Sequence, residues 1–240
     1  MKVIDYFDKA YIINLPERQD RLTAMKRELE KAEMPIDSNK VNLFSAIKPT
    51  EAQPFKTIGQ KGCFLSHYTI LKEARDKNLQ NVLIMEDDLQ IAEDFYQKSD
   101  MLIEQLKQHD WAFVYFGHRL EQDNIKEGNI KIQLQPCKLP IVTAHFYGVN
   151  GIILDSLVKF LEVIQQRPPG HPDGGPMHVD GAFSTFRKRN PDLLTLVSVP
   201  NLGWQRSSRS DIANLKWFDK TPMLRQIVNI GRIMNNKLKS

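Results

Sequence analysis

The chain has 240 residues, of which 41% are hydrophobic and 26% charged, with a formal net charge of +4. That length suits one sizeable α/β domain, or one domain with a C-terminal extension, and the composition is ordinary for a soluble globular protein. The modest positive charge suits an anionic ligand and gives no reason to expect nucleic acid as a partner. Cys63 and Cys137 are the only cysteines, too few for a disulfide framework or a zinc ribbon, and both are expected reduced in a cytosolic protein. The first residues lack the apolar core of a signal peptide, and no window approaches the ~20 apolar residues of a spanning helix. Any membrane contact is therefore expected at the surface.

Tyr11 to Leu15 reads as a first strand, stopped by Pro16. Asp20 opens a helix whose Leu22, Met25 and Leu29 fall at helical spacing, and Pro35 ends it. Val41 to Ser45 is a second strand. Pro49 to Lys61 is a polar loop, and Gly62 to His67 leads into a helix reaching about Lys77. Val82 to Met85 is a buried strand. Ala92 to about Gln108 is an amphipathic helix, and Trp111 to Phe116 another strand. Ile130 to Leu134 alternates like a half-exposed strand. Val142 to Leu154 leans toward β structure, and Asp155 is placed to cap the helix that follows, up to about Gln165. Arg167 to Pro176 is a Pro/Gly-rich loop. Asp180 to Lys188 is a short helix, and Leu193 to Val199 a last strand. Strands and helices alternate, which predicts an α/β fold with a mainly parallel sheet covered by helices.

The sharpest feature is Leu83-Ile84-Met85-Glu86-Asp87-Asp88, three acids directly after an apolar run. The carboxyl edge of an open α/β sheet is where ligands bind, and crowded carboxylates there would be relieved by a hard divalent cation. An acid–x–acid pair after a buried strand is how many nucleotide-sugar glycosyltransferases hold Mn2+ or Mg2+. The plainer alternative has these acids capping the next helix or lying in solvent. After the first strand, Arg18 and Arg21 sit three residues apart, placed either to meet an anion or to pair with Glu17 and Asp20. In Gly59-Gln60-Lys61-Gly62-Cys63-Phe64-Leu65-Ser66-His67 the glycines allow close backbone approach, with Ser66 or His67 near a ligand. No Gly-Lys-Ser/Thr follows, so this is not a nucleoside-triphosphatase loop.

The arginine-bearing first loop, Gly62 to His67, and Ile84 to Asp88, in this order and spacing, resemble glycosyltransferase family 25. That family contains bacterial lipooligosaccharide galactosyltransferases and the collagen galactosyltransferases. His145 to Leu154 is similar to the family's next block, Asp180 falls where the family often has an acid, and Ser210-Asp211-Ile212 resembles a late family signature. The resemblance spans about Ala10 to Ile212 and is most specific from Gly62 to Asp88. Val149, Asn150 and the long loop before Asp180 depart from the family pattern.

The resemblance implies a GT-A-type, Rossmann-like nucleotide-sugar domain over 1–212, with 213–240 as a basic C-terminal extension. It implies inverting transfer of a sugar, most simply galactose from UDP-galactose, to a saccharide acceptor of surface lipooligosaccharide. It assigns Glu86 and Asp88 to the metal. Asn14, Arg18, Arg21, Ser66, His67, Asp87, Arg206 and Arg209 are assigned to the donor. Asp180 is the catalytic base, its alternative being a cap of its own helix. His145 and His178 are further possible metal ligands, each with a structural alternative. The segment from Trp217 to Lys239 mixes apolar and basic residues. It reads either as an amphipathic helix on an anionic inner-leaflet surface, near a lipid-linked acceptor, or as a helix packed on the domain. A cytoplasmic enzyme, peripheral on the inner membrane, is the corresponding location. The competing readings are a non-catalytic nucleotide-sugar or saccharide-binding relative and, less well supported, a metal-dependent phosphohydrolase.

Overall fold

The computed structural model describes residues 1–36, 39–120 and 132–206. In chain order its elements are α1 (Val3–Tyr6), β1 (Lys9–Asn14), α2 (Gln19–Lys31), β2 (Val41–Ser45), α3 (Ile58–Asp76), β3 (Asn81–Glu86) and β4 (Leu89–Ile91). Then come α4 (Ser99–Lys107), β5 (Trp111–Gly117), β6 (Gln133–Pro136), β7 (Phe146–Asn150), α5 (Leu154–Gln166), α6 (Val179–Arg189), β8 (Leu194–Val199) and β9 (Gly203–Gln205).

β1 and β3 are apolar at nearly every position because both faces of the sheet are covered. Tyr11, Ile13, Val82 and Ile84 pack with Phe64 and Ile70 of α3, Leu157 and Leu161 of α5, and Phe183 of α6. Their neighbours Ala10, Ile12, Leu83 and Met85 point the other way, toward α1, α2 and α4 through Ile4, Met25, Leu29 and Leu102. The sheet order is β2-β1-β3-β7-β5-β8-β6. β2, β1, β3, β5 and β8 point one way, while β7 and β6 run against them. The expected α/β fold with a mainly parallel sheet is borne out. β4 and β9 form a short antiparallel pair off this path, joined to the end of β5 through Gly117 and Gly203.

Several element boundaries differ from the sequence-based expectation. α3 begins at Ile58 instead of near Gly62, because the Thr57 hydroxyl caps it by accepting the Gln60 N–H at 3.0 Å. Gly62 is thus helical. A Cβ there would lie 2.5 Å from the Ile47 carbonyl oxygen, so this glycine serves helix-to-loop contact instead of a turn. The helix expected from Ala92 is shorter, since Leu89–Ile91 is drawn into pairing with the distant β9 and the Ile91 N–H is held by Glu28 of α2 at 3.0 Å. Only Phe146–Asn150 of the β-leaning run is a strand. Beyond it the Asn150 side chain accepts the Ile152 N–H at 3.1 Å and starts a 3-10 turn. Asp155 therefore lies in the first turn of α5 and does not cap it. The late half-exposed strand sits at Gln133–Pro136.

Candidate active site

The carboxyl ends of β1 and β3 lie side by side, with Ile13 opposite Glu86. β3 enters this edge held from both sides. The Asp87 N–H donates to the Ile13 carbonyl at 3.1 Å, and the Glu86 N–H donates to the His145 carbonyl at 2.9 Å. Side chains alternate across a strand, so consecutive acids are sent to opposite faces. Glu86 turns toward α3, and Asp87 turns toward α2.

Asp87 is buried and fully engaged. Its carboxylate accepts from the Asn14 amide at 2.7 Å and from the Arg21 guanidinium at 2.9 Å. Asn14 ends β1 and also donates to the Arg18 carbonyl at 3.3 Å, which anchors the entry to α2. Arg21 stands in the first turn of α2, with only 14% of its side chain exposed. Two charge-assisted bonds from separate elements hold one carboxylate, the arrangement in which a buried ion pair is worth its desolvation. Asp87 thus ties together the elements that open the site.

Glu86 meets a different set. Its Oε1 lies 3.2 Å from His67 Nε2 and 4.0 Å from Cys63 Sγ, and its Oε2 accepts from the Gln205 amide at 3.1 Å. His67 is fully buried, and its Nδ1 lies 2.8 Å from the Tyr147 hydroxyl. Burial pushes the Glu86 carboxyl upward, but the hydrogen bond and electrostatic pull of His67, with His145 and Gln205 behind it, hold it below the usual carboxylate range. Burial also pushes the Cys63 thiol well up, with Glu86, Asp180 and Asp88 adding to it.

Asp88 is the unsatisfied member. Its Oδ1 is buried with no hydrogen-bond partner among the described residues, and its Oδ2 lies 3.9 Å from Arg21. Burial first, then the neighbouring Glu86, raise its carboxyl to about 7, despite the opposing pull of Arg21 and Arg206. A cation seated on Asp88 would meet this orphaned oxygen and offset the crowding, so these residues fit the expected divalent ion.

The three acids line a cavity of about 420 Å³ together with Arg21, Lys48, Cys63, Ser66, His67 and Gln205. That size falls within the ~300–1,000 Å³ range common for small-molecule sites. The chain closes over the acidic turn from its far end. After β9, the Arg206 N–H donates to the Asp88 carbonyl at 2.6 Å, and its guanidinium donates to the Asp87 carbonyl at 2.6 Å. Burial lowers the pKa of Arg206 from its ordinary value.

Asn14, Arg21, Ser66, His67, Asp87, Arg206 and the two acids expected to hold a metal, Glu86 and Asp88, are thereby gathered at one sheet edge. Their individual contacts refine the expectation. Ser66 donates to the Gly62 carbonyl at 2.7 Å and accepts the Ile47 N–H at 2.8 Å, so its hydroxyl docks α3 on the segment after β2. Arg18 is engaged by Asp20 through a bond of 3.0 Å. His145 places Nε2 3.1 Å from the Gly203 carbonyl. His178 is the N-cap residue of α6 and lines a second cavity, of about 520 Å³, with Phe55, Lys56 and His171. Asp180 accepts the N–H of Gly181 at 2.8 Å in the first turn of α6 and does not line the acidic cavity. Its charge still reaches Cys63. Arg209, Ser210-Asp211-Ile212 and the 213–240 extension lie outside the described residues.

Sequence reasoning passed over Cys63, Lys48, Tyr147 and Gln205. Cys63 and His67 carried a signal, being four residues apart and hence on one helix face. Nothing local marks Gln205, which reaches Glu86 from 119 positions further along the chain.

The family model for Glycosyltransferase family 25 (LPS biosynthesis protein) matches residues 7–140, more than half of the chain. The chain belongs to glycosyltransferase family 25. It is 28% identical over 204 residues to human procollagen galactosyltransferase 2, covering 77% of this chain and 31% of that protein. It is 34% identical over 142 residues to procollagen galactosyltransferase 1-B of Xenopus laevis, covering 50% of this chain and 23% of that one. Human inactive glycosyltransferase 25 family member 3 is 30% identical over 131 residues, covering 47% of this chain and 22% of that protein. The chain thus spans less than a third of the length of these curated relatives. A solved glycosyltransferase involved in glycosylation of the major capsid of PBCV-1 aligns with a TM-score of 0.48 at 12% identity, over 79% of this chain and 80% of that one.

Proposed function

We propose that this family 25 glycosyltransferase moves galactose from UDP-galactose to a saccharide hydroxyl with inversion, with Mn2+ or Mg2+ held by Glu86 and Asp88. The observation that carries this reading is Asp88, with a buried oxygen unpartnered among the described residues and a carboxyl raised to about 7, on the wall of a cavity that also presents Arg21 and Lys48. Bound there, the cation would offset negative charge on the diphosphate leaving group. Arg21 and Lys48 supply cationic side chains for the same end of the donor. In the displacement, the acceptor oxygen attacks the anomeric carbon, the hydroxyl proton passes to a carboxylate, and the nucleoside diphosphate leaves. Asp180 is the base in this reading. The galactose assignment follows the similarity to the procollagen galactosyltransferases. An acceptor in lipopolysaccharide assembly follows the family description. Among the described residues no helix is long and apolar enough to cross a membrane. The proposal places the enzyme in the cytoplasm, with the basic 213–240 segment at the inner-membrane surface.

The test is transfer from a panel of nucleotide sugars with and without Mn2+, in the wild type and in Asp88→Ala. The expected result is metal-dependent transfer from UDP-galactose, abolished in the variant while the fold is kept. Wild-type-like transfer by Asp88→Ala would end the metal assignment. A second reading, donor binding without turnover, is favoured by the match to a relative named as inactive. It predicts donor-induced thermal stabilisation with neither transfer nor the slow donor hydrolysis that active transferases leak.

A further inference from the structure

Cys63 and His67 are one turn apart on α3, and both face the last residue of β3. Cys63 Sγ, His67 Nε2 and a Glu86 carboxylate oxygen all lie within 4.8 Å of one another. We infer that Cys63, His67 and Glu86 form a second cation site, for a borderline-soft ion such as Zn2+ or Co2+, distinct from the hard-oxygen position at Asp88.

Three features carry the inference. The first is spacing. A tetrahedral ion with bonds of ~2.0 Å to nitrogen or oxygen and ~2.3 Å to sulfur sets its ligands roughly 3.3–3.6 Å apart. His67 Nε2 and Glu86 Oε1 stand at 3.2 Å and Cys63 Sγ 4.0 Å from Oε1, with all three ligand atoms within 4.8 Å, so a rotation of the Cys63 side chain by up to about 1 Å closes the set. The second is the support behind the imidazole. The Tyr147 hydroxyl lies 2.8 Å from His67 Nδ1, and the two rings stack with centroids 5.8 Å apart. A partner on the remote ring nitrogen is what orients a metal-binding histidine and leaves its other nitrogen for the metal. The third is the open side. All three residues line the 420 Å³ cavity, so a fourth position faces space that water or a ligand can fill.

The ligand types set the selectivity. One thiolate, one imidazole and one carboxylate suit zinc-like ions, whereas manganese and magnesium prefer all-oxygen surroundings. Binding balances by loss of the Cys63 proton to solvent as the sulfur–metal bond forms. The simpler account, a His67–Glu86 hydrogen bond with Cys63 as a bystander, gives the sulfur no part in binding any ion. Glu86 is shared with the proposed transferase centre, but sulfur ligation is read without any sugar transfer. The two proposals therefore fail separately.

The test is titration of the full chain with Co2+, followed by thiolate-to-cobalt charge transfer in the near ultraviolet. One equivalent is expected to bind with this band. Cys63→Ser should abolish the band, and Cys137→Ser should keep it. Tyr147→Phe should weaken Zn2+ binding by about 10-fold or more, measured against a chromophoric chelator. Zn2+ should also protect Cys63, and not Cys137, from alkylation, which reads the site in unmutated protein. Co2+ binding without the band, a band that survives Cys63→Ser in a chain with unchanged circular dichroism, or alkylation of Cys63 indifferent to Zn2+ would each overturn the assignment.

Discussion

Arg21 bonds Asp87 at 2.9 Å across the gap between α2 and the end of β3, and stands 3.9 Å from Asp88 in the same turn. One guanidinium thus bonds the middle acid closely and reaches the last acid, whose Oδ1 has no partner among the described residues, only at 3.9 Å. The charge balance of the cavity follows from that division, and with it the first prediction.

Asp88 keeps its proton up to about pH 7 in the folded chain, against about pH 3.9 for an unfolded aspartate. The folded state therefore binds more protons between those values, and its stability falls as pH rises through them. The penalty is absent below about pH 4 and complete above about pH 7, on the order of 2–4 kcal/mol. Asp88→Asn should remove most of this slope and raise the melting temperature at pH 8. Mn2+ should do part of the same for the wild type. Thermal melts across pH check this, and an unchanged slope in Asp88→Asn would refute it.

Asn14→Ala deletes one of the two bonds to the buried Asp87 carboxylate. The expected loss is about 1–3 kcal/mol in urea denaturation. Combined with Asp87→Asn, the losses should be clearly non-additive, because both act on one contact. Simple additivity would show that Asn14 matters for another reason.

Two helical glycines should respond with opposite signs. Gly62→Ala puts a methyl group 2.5 Å from the Ile47 carbonyl oxygen and should destabilise by about 1–3 kcal/mol. Gly181→Ala in α6 meets Met177 at Sδ 3.5 Å and Cγ 3.9 Å, ordinary contacts, and should stabilise by about 0.4–1 kcal/mol. Equilibrium denaturation of both variants decides the matter. A neutral Gly62→Ala would mean that α3 does not need its close approach to the segment after β2.

Asp180→Asn separates a base from a helix-turn acid. As the base, its loss should lower kcat by about 10²–10⁴ with donor affinity unchanged. As a first-turn acid that accepts the Gly181 N–H, its replacement should cost a few tenths of a kcal/mol and leave turnover alone. Steady-state kinetics with donor titration distinguishes the two.

Much of the fold was legible because it rests on local pattern. The pattern over Val41 to Ser45 gives the bounds the strand has, those over β1, β3, β5, α6 and β8 fall within a residue or two, and α2 starts within a residue but ends at Lys31, short of Pro35. Hydrophobic periodicity lies in near neighbours, so near neighbours reveal it. The boundaries around β4 depend on distant partners, Ile91 on Glu28 and Leu89 on Gln205, whereas the start of α3 and the end of β7 are set by the local bonds of Thr57 and Asn150.

By itself the sequence determined that three carboxylates follow a buried strand, while leaving open whether they alternate across an extended strand end or converge on a turn. It also carried the family, through segments whose order and spacing survive without reference to structure. Only the tertiary structure decided what each acid does. Asp87 is locked by Asn14 and Arg21, Glu86 is drawn to His67, Cys63 and Gln205, and Asp88 keeps a buried oxygen with no partner among the described residues. Those partners come from β1, α2, α3 and β9, and a carboxylate's proton affinity is set by what surrounds it in space, not by what adjoins it along the chain.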